Sequence, residues 1–322
     1  MNAMKTYTHL IGIVCASLIL FAGCRKEKQP DNGLPKETTT SGIATICVDE
    51  TLKSIMQQEI EVFEGLYKEA NIIPKYTTEV EAFNALFADS VKLIVATRTL
   101  TDSEIEALKS RKLFPKVSKI AIDGIALITN RNNPDSLITT EQLRSILTGK
   151  TTRWDQIAPG SRTGEIEVVF DNTNSSTVRY MIENVCRGQE LTGNVKARKN
   201  NEDVIDYIAQ VPNAIGVIGS DWIGNAEDST HLSFNNRIQV MLVSEDPVAF
   251  EGNSYQPFQA YLAMQTYPLR RDIYMICTST RTSLPYGFTS FVSSEKGQRI
   301  ILKSGILPAT QPLRVVNVRE NL

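Results

Sequence analysis

Short apolar runs alternate with amphipathic stretches along most of this 322-residue chain, and this alternation restricts the folds that it can adopt. Residues 42–48 are apolar and rich in β-branched side chains, and residues 52–67 then repeat apolar side chains at helical spacing. Strand-like and helix-like segments continue to alternate as far as residue 304. The pattern predicts an α/β fold in which mostly parallel sheets are flanked by helices.

Length and charge narrow the class of protein. The chain exceeds the roughly 100–200 residues of one ordinary domain, so it allows two lobes. The 34 basic and 36 acidic residues nearly balance, whereas a nucleic-acid-binding protein should have a surplus of basic residues. A nucleic-acid partner is therefore not expected. The 2 histidines and 5 cysteines form no metal-binding motif, and no nucleophile–base set is apparent. We therefore predict a protein that is not an enzyme and holds no metal or cofactor.

The N-terminus carries an export signal. Residues 10–23 are 14 uncharged residues, which fits a signal peptide but falls short of the roughly 20 residues of a transmembrane helix. The small residues before Cys24 resemble the lipobox of bacterial lipoproteins, which implies cleavage after residue 23 and a lipid on Cys24. An uncleaved signal anchor is the alternative. Residues 24–41 are polar and rich in Pro and Thr, which predicts a disordered tether.

Three strand-to-helix turns carry polar residues suited to an anion, at 49–51, 96–99 and 171–177. In parallel sheets, ligands bind beyond the carboxyl ends of the strands, where helix N-termini offer unpaired N–H groups. For the third turn, simple helix capping is the alternative. The predicted ligand-binding residues are Glu50, Thr51, Thr97, Arg98, Asn172, Ser175, Ser176, Thr177 and Arg179.

The charged residues near these turns carry further expectations. Arg98 offers a planar guanidinium that suits an oxyanion, with a surface ion pair as the alternative, and we expect Glu50 to pair with it. Arg270 and Arg271 precede a predicted strand and are expected in solvent or at a hinge.

Five segments in order, 131–157, 170–182, 211–223, 267–276 and 288–308, resemble the phosphate-binding proteins of ABC importers, the PstS-like family. The resemblance implies a two-lobed periplasmic-binding-protein fold of type II, in which the lobes close on a ligand in the cleft. It also implies phosphate or a related oxyanion as ligand, an ABC permease as partner, and a place on the periplasmic face of the cell envelope, anchored to the membrane through lipidated Cys24.

The same resemblance sets the expected lobe boundaries. Lobe one would combine residues 42–123 with 250–322, and lobe two would span 124–249. Three cysteines, Cys47, Cys186 and Cys277, remain in these lobes. Three buried thiols are favoured over one disulfide plus a free thiol. Because Cys47 and Cys277 fall on predicted strands of the same lobe, they could be neighbours.

The chain departs from the family pattern at charged positions. Asp171 stands where the family has Arg, Ser176 stands where it has Gly, and Lys92 falls near the place of an acidic residue. Residues 76–79 replace the family's Gly-Ser-Gly turn. An inward Asp171 at about 4 Å would repel an anion by about 4 kcal/mol per charge pair at an effective dielectric of about 20. The alternative function is therefore a sensor or accessory lipoprotein with a ligand other than phosphate.

Overall fold

The structure is a computed structural model that describes residues 36–224 and 233–310. The predicted signal peptide, the lipidation site Cys24 and tether residues up to 35 lie outside the described residues. In the part of the chain that is described, no helix combines the length and the apolar character needed to cross a membrane.

Strands and helices alternate as the sequence predicts. The described strands are β1 (Gly42–Asp49), β2 (Ala70–Thr77), β3 (Leu93–Ala96), β4 (Lys116–Asn130), β5 (Leu137–Thr139), β6 (Glu167–Phe170), β7 (Val195–Ala197), β8 (Ala214–Gly219), β9 (Ile238–Val240), β10 (Leu242–Ser244), β11 (Arg270–Cys277) and β12 (Leu307–Pro308). The described α-helices are α1 (Lys53–Leu66), α2 (Glu79–Phe87), α3 (Asp102–Ser110), α4 (Thr140–Leu147), α5 (Ser176–Tyr180), α6 (Asn201–Ile208), α7 (Gln259–Ala263), α8 (Leu284–Val292) and α9 (Glu295–Lys303). Helix α5 continues into a π turn, Met181–Val185.

One mixed sheet runs through the molecule in the order β2-β1-β3-β11-β4-β8-β6-β7. Strands β2, β1 and β3 are parallel at one end, and β8, β6 and β7 are parallel at the other. Between them β4 spans 15 residues: its first half pairs antiparallel with β11, and its second half pairs antiparallel with β8 and β9. We call the β2-β1-β3-β11 half with its helices the first lobe and the β8-β6-β7 half the second lobe.

Each lobe buries apolar side chains on both faces of its part of the sheet. The largest fully buried side chains include Phe63 and Phe288 in the first lobe and Trp154 and Phe170 in the second. These side chains belong to separate clusters, so each lobe has its own core. Burial of each large apolar side chain contributes about 1.5–3 kcal/mol to folding. The predicted α/β, two-lobed class is confirmed.

The structure differs from the expected boundaries in two places. Residues 36–41, expected in the tether, make defined contacts: Thr38 bridges to Ser41, which is buried. Leu262, Tyr267 and Leu269 pack into the core of the second lobe although their segment was expected in lobe one. The reason is that this segment lies beside the second half of β4 before the chain enters β11, where Ile125 bonds to both Leu269 and Tyr267. Its apolar side chains therefore pack in the second lobe.

The prediction of three buried thiols is confirmed, but the expected contact between Cys47 and Cys277 is wrong. Cys47, Cys186 and Cys277 are all buried free thiols. Cys47 and Cys277 are not neighbours: β3 lies between their strands, and the two side chains pack in different clusters. Burial is the main cause that raises the pKa of each thiol, which keeps all three protonated and poorly reactive.

Candidate functional site

Arg271, near the start of β11, lies at the point where the two lobes meet. Its side chain is almost fully buried, and its guanidinium donates to Thr51 Oγ1 of the first lobe at 3.1 Å and to Ser176 Oγ of the second lobe at 2.9 Å. The same group binds Asp123 Oδ2 of β4 at 2.9 Å. Burial lowers the pKa of Arg271, but the charges of Asp123 and Asp49 outweigh it and raise that pKa, so the guanidinium stays charged.

Asp123 holds Arg271 in place. Its side chain is fully buried, and its Oδ1 accepts hydrogen bonds from the hydroxyl of Ser220 at 2.6 Å and from the backbone N–H of Ser220. A buried ion pair is stable only when the remaining oxygens of the carboxylate are also bonded, and Ser220 meets that condition. Because both oxygens of Asp123 are bonded, β4 continues through this buried acidic position as one strand.

The first predicted turn follows β1. Asp49 Oδ1 accepts hydrogen bonds from Thr51 N at 2.8 Å and Thr51 Oγ1 at 2.7 Å, which fixes the Thr51 hydroxyl beneath Arg271. Burial, with the charge of Glu79, raises the pKa of Asp49 to about 6. Glu50 lies half-buried beside them, and burial followed by the charge of Asp171 raises its pKa. Thr51 thus contacts Arg271, whereas Glu50 does not.

The second predicted turn follows β3. Thr97 is buried and lines the cleft. Arg98 lines the cleft as well, but its guanidinium already has partners: it donates to both oxygens of Glu104 at 2.9 Å and stacks on Phe83 at 3.5 Å from the ring centroid. The predicted pair between Glu50 and Arg98 is therefore wrong. Glu104 belongs to the capping box of α3, only six residues along the chain, so it is the nearer partner.

The third predicted turn opens α5. Ser175 caps the helix by accepting from Val178 N, Ser176 accepts from Arg271, and Thr177 donates to Asp171 Oδ1 at 3.0 Å. Asn172 lies further out, where its side chain accepts from Asn174 N at 2.8 Å. Capping and a polar site therefore coexist in this turn.

Asp171 points inward and is 1% exposed. Burial raises its pKa, and no residue in the described part of the chain bonds to its buried Oδ2. Lys92, the other departure from the family pattern, lies at the surface and pairs with Asp89 at 2.6 Å. Asp171 is thus a buried acid close to Arg271, and Lys92 does not offset its charge.

Arg179, also predicted, makes a second link between the lobes. Its Nε donates to Glu79 Oε2 at 2.6 Å, its Nη2 to Thr97 Oγ1 at 3.0 Å, and its Nη1 to Glu183 at 2.6 Å. Trp222 adds a further interlobe bond, from Nε1 to the Thr51 carbonyl at 2.8 Å.

A cavity of about 540 Å³ opens beside these groups. Its lining includes Thr97, Arg98, Lys119, Arg179, Arg270 and Arg271. Behind the lining, three buried aspartates lie close enough to Arg271 to feel its charge: Asp49, Asp171 and Asp221. Within the described residues, Asp49 Oδ2, Asp171 Oδ2 and both carboxylate oxygens of Asp221 have no hydrogen-bond partner. The site thus combines charged hydrogen-bond donors with nearby carboxylate oxygens that are free to accept a hydrogen bond.

The residues that sequence reasoning missed are Arg271, Asp123 and Glu79. Arg271 was expected in solvent or at a hinge, yet it is buried at the interlobe centre. A signal for it existed in the alternation along β11, where Arg271, Ile273 and Met275 share the buried face. Asp123 had no such signal, because its partner lies 148 residues away along the chain.

Comparison with known proteins supports this fold. A family model described as "PBP superfamily domain" matches residues 35–296. The phosphate-binding protein PstS of Pseudomonas aeruginosa is 24% identical over 313 residues, which cover 90% of this chain and 91% of that protein. Its name is that of a binding protein, in agreement with the prediction that the chain is not an enzyme.

Two solved structures are similar to the chain. One, from Clostridium perfringens, is described as a phosphate ABC transporter substrate-binding protein with bound phosphate; its TM-score is 0.70 at 22% identity, and the match covers 84% of this chain and 100% of that one. An ABC-type phosphate transport receptor from Vibrio cholerae has a TM-score of 0.63 at 19% identity and covers 83% and 100% of the two chains.

Proposed function

Because this chain belongs to the family described as the PBP superfamily domain, we propose that it captures phosphate, or a related oxyanion, between its lobes for an ABC importer. The observation that carries the proposal is the buried guanidinium of Arg271, bonded to a hydroxyl from each lobe. A charged planar donor with convergent hydroxyls is the donor set that an oxyanion requires.

Binding requires the lobes to separate. Thr51 Oγ1 and Ser176 Oγ lie 3.3 Å apart, which is a hydrogen-bonding distance and leaves no space for an anion between them. Motion about β4 and β11, the strands that join the lobes, would part the two hydroxyls and expose the guanidinium of Arg271. When the lobes close on an anion, water leaves and each hydrogen bond to the anion strengthens.

The names of similar proteins support phosphate as the ligand and an ABC permease as the partner. The relative from Pseudomonas aeruginosa is named as a phosphate-binding protein, and the Clostridium perfringens structure is described with bound phosphate and as a transporter component. We further propose that Cys24 is lipidated and holds the protein at the periplasmic face of the cell envelope, with residues 25–35 as a tether. The lobe boundaries given by the resemblance are part of the same proposal, except that Leu262, Tyr267 and Leu269 belong with lobe two.

Isothermal titration calorimetry with phosphate, sulfate and molybdate tests this function. We expect the full chain to bind phosphate, and R271K to bind it at least tenfold more weakly, since Lys cannot donate to three partners in one plane. R299K, an exposed arginine on α9, is the control and should bind as the unaltered protein does. Failure of all three anions to bind would overturn the proposal.

A second function keeps one observation in its favour. Near Arg271, Asp49, Asp171 and Asp221 have buried carboxylate oxygens to which none of the described residues bonds. Such oxygens suit a ligand that donates hydrogen bonds better than one that only accepts them. A sensor or accessory lipoprotein with a non-phosphate ligand would fit this. A permease gene next to the gene for this chain would count against it.

A further inference from the structure

Glu79 is a buried carboxylate that binds across the cleft. It is the first residue of α2 in the first lobe and is 3% exposed. Its Oε1 accepts from Thr97 N at 2.7 Å and from Thr97 Oγ1 at 2.9 Å, and its Oε2 accepts from Arg179 Nε of the second lobe at 2.6 Å. One carboxylate therefore collects a backbone N–H, a hydroxyl and a guanidinium.

These three donors are the kinds of group that would hold an oxyanion ligand. A carboxylate presents two charged oxygens, and the same donors can accept two oxygens of a phosphate in its place. Thr97 and Arg179 also line the cavity of about 540 Å³, whereas the carboxylate of Glu79 is covered by them. An anion that enters this cavity meets donors that are already bonded to Glu79.

We propose that Glu79 is an internal competitor of the ligand and thereby sets the affinity of the cleft. Its carboxylate holds Arg179 and Thr97 and links the two lobes, and an incoming anion gains those donors only when Glu79 releases them. This inference rests on the proposed function, because it requires an anion to bind in the cleft. It makes residue 79 the position at which affinity is tuned, although Glu79 itself does not contact the bound anion.

Displacement leaves no buried cation unpaired. Arg179 retains Glu183, which accepts from Nη1 at 2.6 Å. Removal of the Glu79 charge should therefore free the donors of Thr97 and Arg179, while Glu183 still pairs with Arg179. The expected gain in affinity for phosphate is about tenfold or more, which is in the range of one hydrogen bond to a charged group.

The test is calorimetric titration of inorganic phosphate into the full chain and into E79Q, which keeps the size of the side chain but removes its charge. E79A, which cannot reach the donors at all, is the second variant. E106Q is the control: Glu106 is an exposed glutamate on α3 that pairs with Lys109 at 3.0 Å, and neither residue lines the cavity. Thermal unfolding shows whether each variant is folded.

We expect both Glu79 variants to bind phosphate about tenfold more tightly, and E106Q to bind it as the unaltered chain does. The inference is overturned, and the proposed function kept, if the unaltered chain binds phosphate and the Glu79 variants bind it no more tightly. If no protein in the set binds, the proposed function fails and the inference fails with it. Small-angle scattering adds a second readout: without phosphate, E79Q should have a larger radius of gyration, and an equal radius would contradict the interlobe link.

Discussion

Glu59 lies on the buried face of α1, next to Met56, Ile60 and Phe63. None of the residues in 36–224 and 233–310 forms a hydrogen bond to either carboxylate oxygen, and burial raises the pKa of Glu59 to about 9. The folded protein therefore keeps this side chain protonated at neutral pH. The proton favours the folded state fully below the unfolded-state pKa of Glu. That contribution is lost as pH rises toward about 9, at up to about 1.4 kcal/mol per pH unit.

We predict that E59M raises the free energy of unfolding at pH 8 by about 2 kcal/mol, because an apolar side chain of similar length replaces an unsatisfied acid. Urea unfolding at pH 5 and pH 8 measures this, and the variant should depend less on pH. E61M, an exposed position on the same helix, should change stability little. A loss of stability for E59M at pH 8 would show that an unrecognised partner holds Glu59.

Arg98 and Arg271 show which residue contacts the sequence can and cannot predict. Both were recognised as arginines near a turn or strand end, but the partner decides the role. For Arg98 the partner is a capping-box glutamate six residues away, which local pattern could have indicated. For Arg271 the partners come from β4, the turn after β1 and α5, and they meet only after the sheet has formed.

At the scale of elements, α8 shows how closely the start of the described chain packs on the body. A Cβ atom on Gly287 would collide with the backbone carbonyl of Thr39. Helix α8 therefore needs glycine at this position, although glycine weakens a helix interior by about 0.5–1 kcal/mol relative to alanine. Residues 36–41 can lie against α8 only because that side chain is absent.

We predict that G287A destabilises the protein by about 1–3 kcal/mol or detaches residues 36–41 from α8. Urea unfolding measures the first effect, and limited proteolysis near residue 40 measures the second. G65A on α1 is the control, because nothing lies within 4 Å of its added Cβ and alanine is the better helix former. It should stabilise the protein by about 0.5 kcal/mol. Unchanged stability and unchanged cleavage in G287A would refute the packing argument.

The order and type of the elements could be predicted from the sequence better than their joining. Apolar runs and capping patterns locate β1, β3, α1 and α3, because these signals are local. The continuity of β4 could not be predicted, since Asp123 and Gly124 interrupt an apolar run and their compensation comes from β11 and Ser220. Local sequence patterns therefore do not predict that β4 runs as one strand from the first lobe into the second.

For the whole molecule, the interface between the lobes has more acid than base. Asp49, Asp123, Asp171, Asp221 and Glu79 lie near Arg179 and Arg271. Burial raises the pKa of Asp49, Asp171 and Asp221, and the charge of Asp123 adds to the rise at Asp221. An anion that enters this region increases the negative charge further, so binding should favour the protonated carboxyls. The near-neutral net charge of the chain adds no long-range attraction to compensate.

We therefore predict that phosphate affinity rises about tenfold when the pH falls from 8 to 5.5, and that protons are taken up on binding. Asp49, with a pKa of about 6, titrates within this window, since it is ionised at pH 8 and increasingly protonated below 6. Titration calorimetry in two buffers of different ionisation enthalpy counts the protons. D49N should take up fewer of them and lose part of the pH dependence, whereas the titration of phosphate itself is the same in both proteins. If D49N takes up as many protons as the unaltered chain, Asp49 is not the group that couples phosphate binding to pH. If the affinity of the unaltered chain for phosphate falls at low pH, the buried carboxylates do not oppose the anion.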